Sequence, residues 1–281
     1  MTGGALWLNG TLYDEAPPLS RDRGLLLGDG LFETVLVRRG SPILLSEHLD
    51  RMRRSAAALS FPPLPALEER LGSALEDLFA SAEESGSPPL MAFRVTLTRG
   101  PGPRGLALPA TQEASLCAQL DPYDPAAVST ESAAVIEAPR IDPLDPLASH
   151  KTTSALRWIF ARRAARAAGA DVAILRTIDG DLAEADFANL FAVVDGRVVT
   201  PPLDRGVLPG VTRAFVLHRL SEESRPGDER PLHAADLCRA SEIFLTSSLV
   251  GVRSLRRVDG KPLSESSPVA DVLAAAYEAL V

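Results

Sequence analysis

The chain has 281 residues, enough for two packed domains, and 46% of them are apolar, so a sizeable core can be buried. Its formal net charge of −8 disfavours nucleic acid and anionic lipid head groups as partners. Because the sequence has no charged leader and no run of about 18 apolar residues, we expect a cytoplasmic protein without a membrane partner.

The first half predicts strands followed by helices. Asn9-Gly10 indicates a hairpin turn between strands at 5–8 and 11–13. Ser46 is the predicted N-cap of a helix that reaches Leu59, in which apolar residues recur every three or four positions. Further elements are a helix over 66–82 and strands over 31–38, 42–45, 91–99 and 114–120.

Asp121-Pro-Tyr-Asp-Pro125 is the predicted interdomain linker, because its two prolines disfavour both a helix and a central strand. It separates an N-terminal domain (1–120) from a C-terminal domain (126–281). The second domain predicts helices over 152–168, 211–220 and 269–280, and strands over 133–138, 171–177, 190–194, 197–200 and 242–246. Strands and helices without regular alternation predict an α+β fold.

Cysteine and lysine are both scarce. Cys117 and Cys238 lack the spacing of a metal site, so we expect no metal and two buried thiols in a reducing compartment. Only two of the 29 basic residues are lysines, Lys151 and Lys261. Because arginine stays protonated, chemistry that needs an amine has these two candidates.

Lys151 follows Ser149-His150 at a predicted passage from strand to helix, where its side chain could project into a cleft. A lysine that forms a Schiff base must be held out of bulk water. An exposed lysine at a helix start is the ordinary alternative, but Lys261 has an obvious surface role in a turn and Lys151 has none. Glu184 is either a solvated loop acid or the carboxylate that keeps a pyridine nitrogen protonated.

Leu208-Pro-Gly-Val-Thr-Arg213 precedes a predicted helix, and the helix N-terminus could bind an anion. A plain helix start explains the segment equally well. Hydroxyls at the end of a later strand and an arginine on the first helix could complete the anion site. The candidate ligands are Val211, Thr212, Thr246, Ser247 and Arg51.

Arg99 and Arg104 bracket Gly100-Pro-Gly-Pro103 after a predicted strand. A rigid loop that presents an arginine suits a substrate carboxylate, and it suits a surface turn equally well.

Four segments in this order and spacing resemble the class IV aminotransferases, the fold-type IV pyridoxal-phosphate enzymes. They are Arg23-Gly-Leu-Leu-Leu-Gly-Asp-Gly-Leu-Phe-Glu-Thr34, Glu47-His-Leu-Asp-Arg51, Lys151 with Glu184-Ala-Asp-Phe-Ala-Asn-Leu-Phe191, and Leu208–Arg213. The resemblance implies a smaller N-terminal α/β domain and a larger barrel-like C-terminal domain, with pyridoxal 5'-phosphate between them. It also implies a homodimer in which the partner borders each active site.

The resemblance assigns roles to single residues. Lys151 would hold the cofactor as a Schiff base and move the proton, and Glu184 would pair with the pyridine nitrogen. Arg51, the Val211 and Thr212 amides and Thr246 with Ser247 would hold the phosphate, and Leu208 would pack on the ring. The implied contacts with a carboxylate-bearing amine substrate are Phe32, Thr34, Arg99, Arg104 and Leu106.

Three functions follow from these observations. The first is 4-amino-4-deoxychorismate lyase, which forms 4-aminobenzoate and pyruvate on the folate route. The second is an aminotransferase that acts on D-amino or branched-chain amino acids with a 2-oxo acid acceptor. A binding protein that has lost the chemistry is disfavoured, because both Lys151 and Glu184 are present.

Overall fold

A computed structural model describes residues 6–13, 22–83, 88–102, 105–108, 112–127, 131–223 and 227–280. The chain divides into two compact units, one that runs to Asp124 and one that begins at Pro125. Lys151–Ser154, which we predicted to lie in the C-terminal domain, belongs to the first unit. The physical reason is backbone pairing: the Phe32 amide donates to the Lys151 carbonyl over 2.9 Å, and the Thr153 amide donates to the Gly30 carbonyl over 2.9 Å.

The first unit is built on a six-stranded antiparallel sheet with the order β2-β1-β6-β5-β3-β4. The two longest strands, β3 and β5, pair along their whole length, from Gly30 opposite Thr98 to Arg38 opposite Leu90. The strands are β1 (Leu6–Leu8), β2 (Thr11–Tyr13), β3 (Gly30–Arg38), β4 (Ser41–Pro42), β5 (Leu90–Thr98) and β6 (Ser115–Pro122).

Three helices accompany this sheet: α1 (Arg23–Leu27), α2 (Leu45–Ala58) and α3 (Leu67–Glu83). Alternate residues of a strand point to opposite faces, and one face of this sheet carries the buried core. The core joins the apolar stripe of α2 and α3 to β3 and β5, as in Leu49, Leu71, Val35 and Phe93.

The first helix and the end of the sheet differ from the prediction. The strand predicted over 42–45 is shorter and lies at Ser41–Pro42, because helix α2 already begins at Leu45. Ser46 is therefore not the N-cap. Leu44 takes the N-cap position in a left-handed conformation, with φ 54° and no side-chain cap. Strand β6 extends into the predicted linker as far as Pro122; because β1 pairs with β6 only at residues 117–119, one side is open there and a proline is tolerated.

The second unit contains two five-stranded sheets, ordered β12-β11-β10-β13-β14 and β16-β15-β7-β8-β9. Three pairs are parallel, β7 with β8, β7 with β15, and β11 with β12. The strands are β7 (Ser132–Val135), β8 (Val172–Arg176), β9 (Leu182–Ala185), β10 (Asn189–Val194), β11 (Arg197–Thr200), β12 (Asp228–Glu229), β13 (Glu242–Ser247), β14 (Gly251–Ser254), β15 (Arg257–Val258) and β16 (Lys261–Pro262).

Both sheets of this unit contribute to one core, in which Val172 and Ile174 of one sheet pack with Leu190 and Leu245 of the other. The helices are α4 (Leu156–Ala167), α5 (Val211–Glu222), α6 (Ala234–Arg239) and α7 (Pro268–Glu278). The mixture of helices with parallel and antiparallel strands confirms the predicted α+β class.

Several local predictions for the second half are corrected. Helix α4 begins at Leu156 rather than at 152, because Thr152 is bridged to Leu31. Strand β7 ends at Val135 rather than at 138. Cys238 is exposed and Cys117 is half-buried, so the expectation of two buried thiols is wrong. Among the helices of the described residues, none is long and apolar enough to cross a membrane.

Candidate active site

Lys151 is held at the start of β3 by backbone hydrogen bonds rather than at a helix start. Its carbonyl accepts the Phe32 amide, and Thr152 next to it bridges Leu31. The side chain is half-buried, and Nζ lies over the Phe32 ring, 4.5 Å from the ring centroid. Lys151 therefore has the sheltered position that a reactive amine needs.

A half-buried face of the first sheet carries the predicted substrate contacts Phe32 and Thr34. Both lie on β3, where they alternate with buried side chains, and Thr34 stands opposite Arg94 of β5 in the ladder. The Arg94 guanidinium carbon lies 4.0 Å from the Phe32 ring centroid. Burial lowers the pKa of Arg94, but an arginine stays cationic at neutral pH.

Arg94 was not predicted from the sequence, although it is an arginine at an alternating position of a predicted strand. The Arg94 guanidinium and the Lys151 amine thus both lie against the Phe32 ring. The fixed positive charge of Arg94 suits an anionic group on a flat substrate.

The opposite face of the same sheet holds a buried cluster of Glu33, His48 and Arg51. Arg51 donates from Nε to Glu33 Oε1 over 2.8 Å and from Nη2 to Oε2 over 2.6 Å, and His48 Nδ1 lies 2.7 Å from Oε2. Burial opposes ionisation, but the hydrogen bonds from Arg51 and His48 outweigh it and lower the pKa of Glu33 from 4.5 to about 2. Burial lowers the pKa of His48, so its imidazole is neutral near pH 7.

This cluster gives Arg51, which we predicted as a phosphate ligand, a buried counter-charge in Glu33. Arg51 is 5% exposed and uses two N–H groups on Glu33. Its partner Glu33 is a residue that sequence reasoning missed, because the two lie 18 positions apart on different elements.

Arg99 is buried and hydrogen-bonded within the first unit rather than presented at an open surface. It is 5% exposed and donates to Asp29 Oδ2 (3.0 Å), to the Ser60 carbonyl (2.7 Å) and to the Leu59 carbonyl (3.0 Å). These bonds favour a structural role, which differs from the predicted contact with a substrate carboxylate.

Leu106 and Arg104 are the other two predicted substrate contacts of this loop. Leu106 is 83% exposed, and Arg23 donates to the neighbouring Gly105 and Ala107 carbonyls. Arg104 lies outside the described residues.

In the second unit, Glu184 and Leu208 lie together. Glu184 is on β9 and 4% exposed, so it is not a solvated loop acid. Its Oε2 accepts the Leu208 amide over 3.1 Å and Asn189 Nδ2 over 3.2 Å. Asn189 Nδ2 also donates to the Leu208 carbonyl over 2.9 Å. Asn189 is within the quoted motif but was not predicted as a site residue.

Helix α5 begins beside this group. Its N-cap is Gly210, which offers no side-chain cap, so the first amides of the helix, including those of Val211 and Thr212, have no partner within the helix. A Cβ on Gly210 would lie 1.9 Å from Asn189 Oδ1, and therefore only glycine fits here. Strand register places Thr246 opposite Asn189, and Ser247 follows as the last residue of β13.

Two hydroxyls in this region are buried and lack a hydrogen-bond partner among the described residues, Thr212 Oγ1 and Thr246 Oγ1. A buried polar group without a partner is unusual and points to a missing ligand. Free hydroxyls, helix amides and the positive end of the α5 dipole are donors that suit a phosphate. The residues present therefore fit a phosphate-bearing cofactor.

Comparison with known proteins gives matches over nearly the whole chain. Residues 30–258 match the family model described as amino-transferase class IV. A bifunctional aminodeoxychorismate lyase / D-amino acid transaminase of Mycobacterium tuberculosis is 28% identical over 98% of this chain and 97% of its own.

Two solved structures share the fold along their length. A branched-chain aminotransferase of Thermoproteus uzoniensis superposes with a TM-score of 0.86 at 25% identity, over 98% of this chain and 94% of the other. A 4-amino-4-deoxychorismate lyase of Pseudomonas aeruginosa gives a TM-score of 0.79 at 30% identity, over 96% and 97%.

Proposed function

Because the chain belongs to the class IV aminotransferases, which are pyridoxal-phosphate enzymes, we propose that it is a 4-amino-4-deoxychorismate lyase. Its products would be 4-aminobenzoate and pyruvate, on the folate route in the cytoplasm. The observation that carries this proposal is the Arg94 guanidinium, whose carbon lies 4.0 Å from the Phe32 ring centroid on the same half-buried face as Lys151. Its fixed charge suits a flat substrate that bears carboxylates. The Pseudomonas lyase, at 30% identity, supports it.

Residues of this chain would bind three groups of the cofactor: the aldehyde carbon, the pyridine nitrogen and the phosphate. Lys151 Nζ would bind the aldehyde carbon, and Glu184 would keep the pyridine nitrogen protonated, while Leu208 packs on the ring. The Val211 and Thr212 amides, the Thr212 and Thr246 hydroxyls, Ser247 and Arg51 would bind the phosphate. When bound, pyridoxal phosphate supplies an electron sink for the carbon that loses its proton.

The chain's own groups would perform the proton transfer. Lys151 Nζ would be the base that takes the proton from the amine-bearing carbon of the substrate. Loss of pyruvate then leaves an aromatic ring, which drives the reaction. Arg94 would orient a substrate carboxylate through a charge-assisted hydrogen bond.

The alternative function is an aminotransferase that acts on D-amino or branched-chain amino acids. The observation that favours it is the Mycobacterium tuberculosis relative, whose name combines the lyase with a D-amino acid transaminase. A transaminase needs a 2-oxo acid to accept the amino group, and a lyase needs none.

One assay separates the two functions. Purified enzyme is incubated with aminodeoxychorismate without any 2-oxo acid, and separately with D- and L-amino acids plus 2-oxoglutarate. We expect equal amounts of 4-aminobenzoate and pyruvate in the first reaction. No 4-aminobenzoate, together with fast amino transfer in the second reaction, would replace the lyase with the transaminase. A Lys151→Ala variant is the negative control for both reactions.

We also propose a homodimer in which the partner borders each active site. Large exposed apolar side chains support association: Leu25, Leu26, Leu27 and Leu106 in the first unit, and Leu156, Ile159 and Phe160 in the second. Sedimentation equilibrium tests this, and a monomer at micromolar concentration would contradict it.

A further inference from the structure

Tyr277 contacts two elements that carry proposed phosphate ligands. It lies near the end of α7 and is 2% exposed. Its hydroxyl donates to the Ser248 carbonyl over 2.8 Å, in the turn that directly follows Thr246 and Ser247. Its ring meets Phe215 of α5 edge to face, with the centroids 5.6 Å apart and the planes at 74°. One side chain thus contacts both elements.

The turn is closely packed against this ring. Gly251, which pairs with Ser247 across the β13–β14 hairpin, has φ +65°. A Cβ at Gly251 would lie 2.8 Å from Tyr277 Cδ1, so a larger residue would push the turn and the ring apart.

Helix α7 is also attached to β13 at its other end. The buried Glu242 carboxylate, on the first residue of β13, accepts the Val269 amide over 3.1 Å and the Ala270 amide over 3.0 Å. The helix is therefore fixed at both ends along the strand that carries Thr246.

We propose that Tyr277 is a positioning residue for phosphate recognition, because it fixes the turn after Thr246 relative to the start of α5. This inference rests on the proposed function, in which Thr246 and the α5 amides bind one phosphate. Hydrogen bonds to a phosphate depend steeply on distance and angle, so two sets of donors need a fixed separation. Tyr277 would act through its contacts with Ser248 and Phe215, so it is a positioning residue and not a catalytic one.

The test compares two ligands that differ only in the phosphate. Apoprotein of the wild type and of Tyr277→Phe is titrated with pyridoxal phosphate and with pyridoxal, and binding is followed by absorbance. The variant keeps the ring and removes one buried hydrogen bond, so we expect affinity for pyridoxal phosphate to fall roughly twofold to tenfold. Affinity for pyridoxal should stay unchanged. Tyr123→Phe removes a hydroxyl in the other unit and is the matched control.

A second variant covers the aromatic contact. Phe215→Leu leaves the Tyr277 hydroxyl in place and should also lower affinity for pyridoxal phosphate more than affinity for pyridoxal. If both variants lose affinity for pyridoxal phosphate and for pyridoxal equally, or lose affinity for neither ligand, the positioning role is wrong while the proposed function stands. If wild-type protein itself fails to bind pyridoxal phosphate, the proposed function and this inference are both wrong.

Discussion

Glu33→Gln tests the buried cluster on which the placement of Arg51 depends. The pKa of Glu33, about 2, lies well below its ordinary 4.5. At about 1.4 kcal/mol per pKa unit, this difference corresponds to roughly 3 kcal/mol of folding free energy. Because the folded-state pKa is depressed, the stabilisation is fully present above pH 4.5 and is lost as the pH falls toward 2. Glutamine cannot ionise, so the variant lacks this term and leaves Arg51 without its counter-charge.

The assay is chemical denaturation of wild type and variant at several pH values between 7 and 2. A Trp158→Phe background leaves buried Trp7 as the fluorescence reporter of the first unit. The variant should be less stable by about 3–5 kcal/mol at pH 7, and the difference should shrink with acidification. Glu68→Gln, which removes an exposed partner of Arg53, is the control and should change stability by about 1 kcal/mol or less. A difference between wild type and Glu33→Gln that stays constant with pH would refute the reasoning.

Two further predictions concern the second unit. Gly210→Ala forces a Cβ against Asn189 Oδ1, so affinity for pyridoxal phosphate should drop at least about tenfold. The control is Gly196→Ala, where the added Cβ has open space and the affinity should not change. Equal affinities of the two variants by titration would contradict this packing. Glu184→Gln should retain the bound cofactor's absorbance but lose most turnover in steady-state assays, because an amide cannot stabilise a protonated pyridine nitrogen; near-wild-type turnover would mean that another acid has this role.

The sequence predicted best those elements whose apolar residues recur with a clear period. Strands β3 and β5 and helices α2 and α3 were all predicted within a few residues, because each is long and buries one face. Helix α6 and strands β12, β15 and β16 were missed, since two to six residues are too few to show a period.

The position of Lys151 could not be predicted from a local sequence pattern. Its residue type and scarcity pointed to chemistry. Its position beside β3 depends on the Phe32 amide, which donates to its carbonyl, and on the Thr153 amide, which donates to Gly30, more than 100 positions away. A propensity for helix after Lys151 was overridden by this pairing for four residues.

The same limit applies to the partners of the predicted site residues. Glu33 binds Arg51, and Asn189 joins Glu184 to Leu208, through contacts that strand register and helix packing create. The chemistry of the residue types pointed to Arg51 and Glu184, and the family resemblance added Leu208. Neither contained a signal for the groups that orient them.

The most direct test of the central claim is to trap the cofactor on its lysine. Purified holoprotein is reduced with borohydride and digested, and the peptides are mapped by mass spectrometry. We expect a single pyridoxyl label on Lys151, its loss in Lys151→Ala and its retention in Lys261→Ala. A label on Lys261, or no label on a protein that contains pyridoxal phosphate, would contradict it.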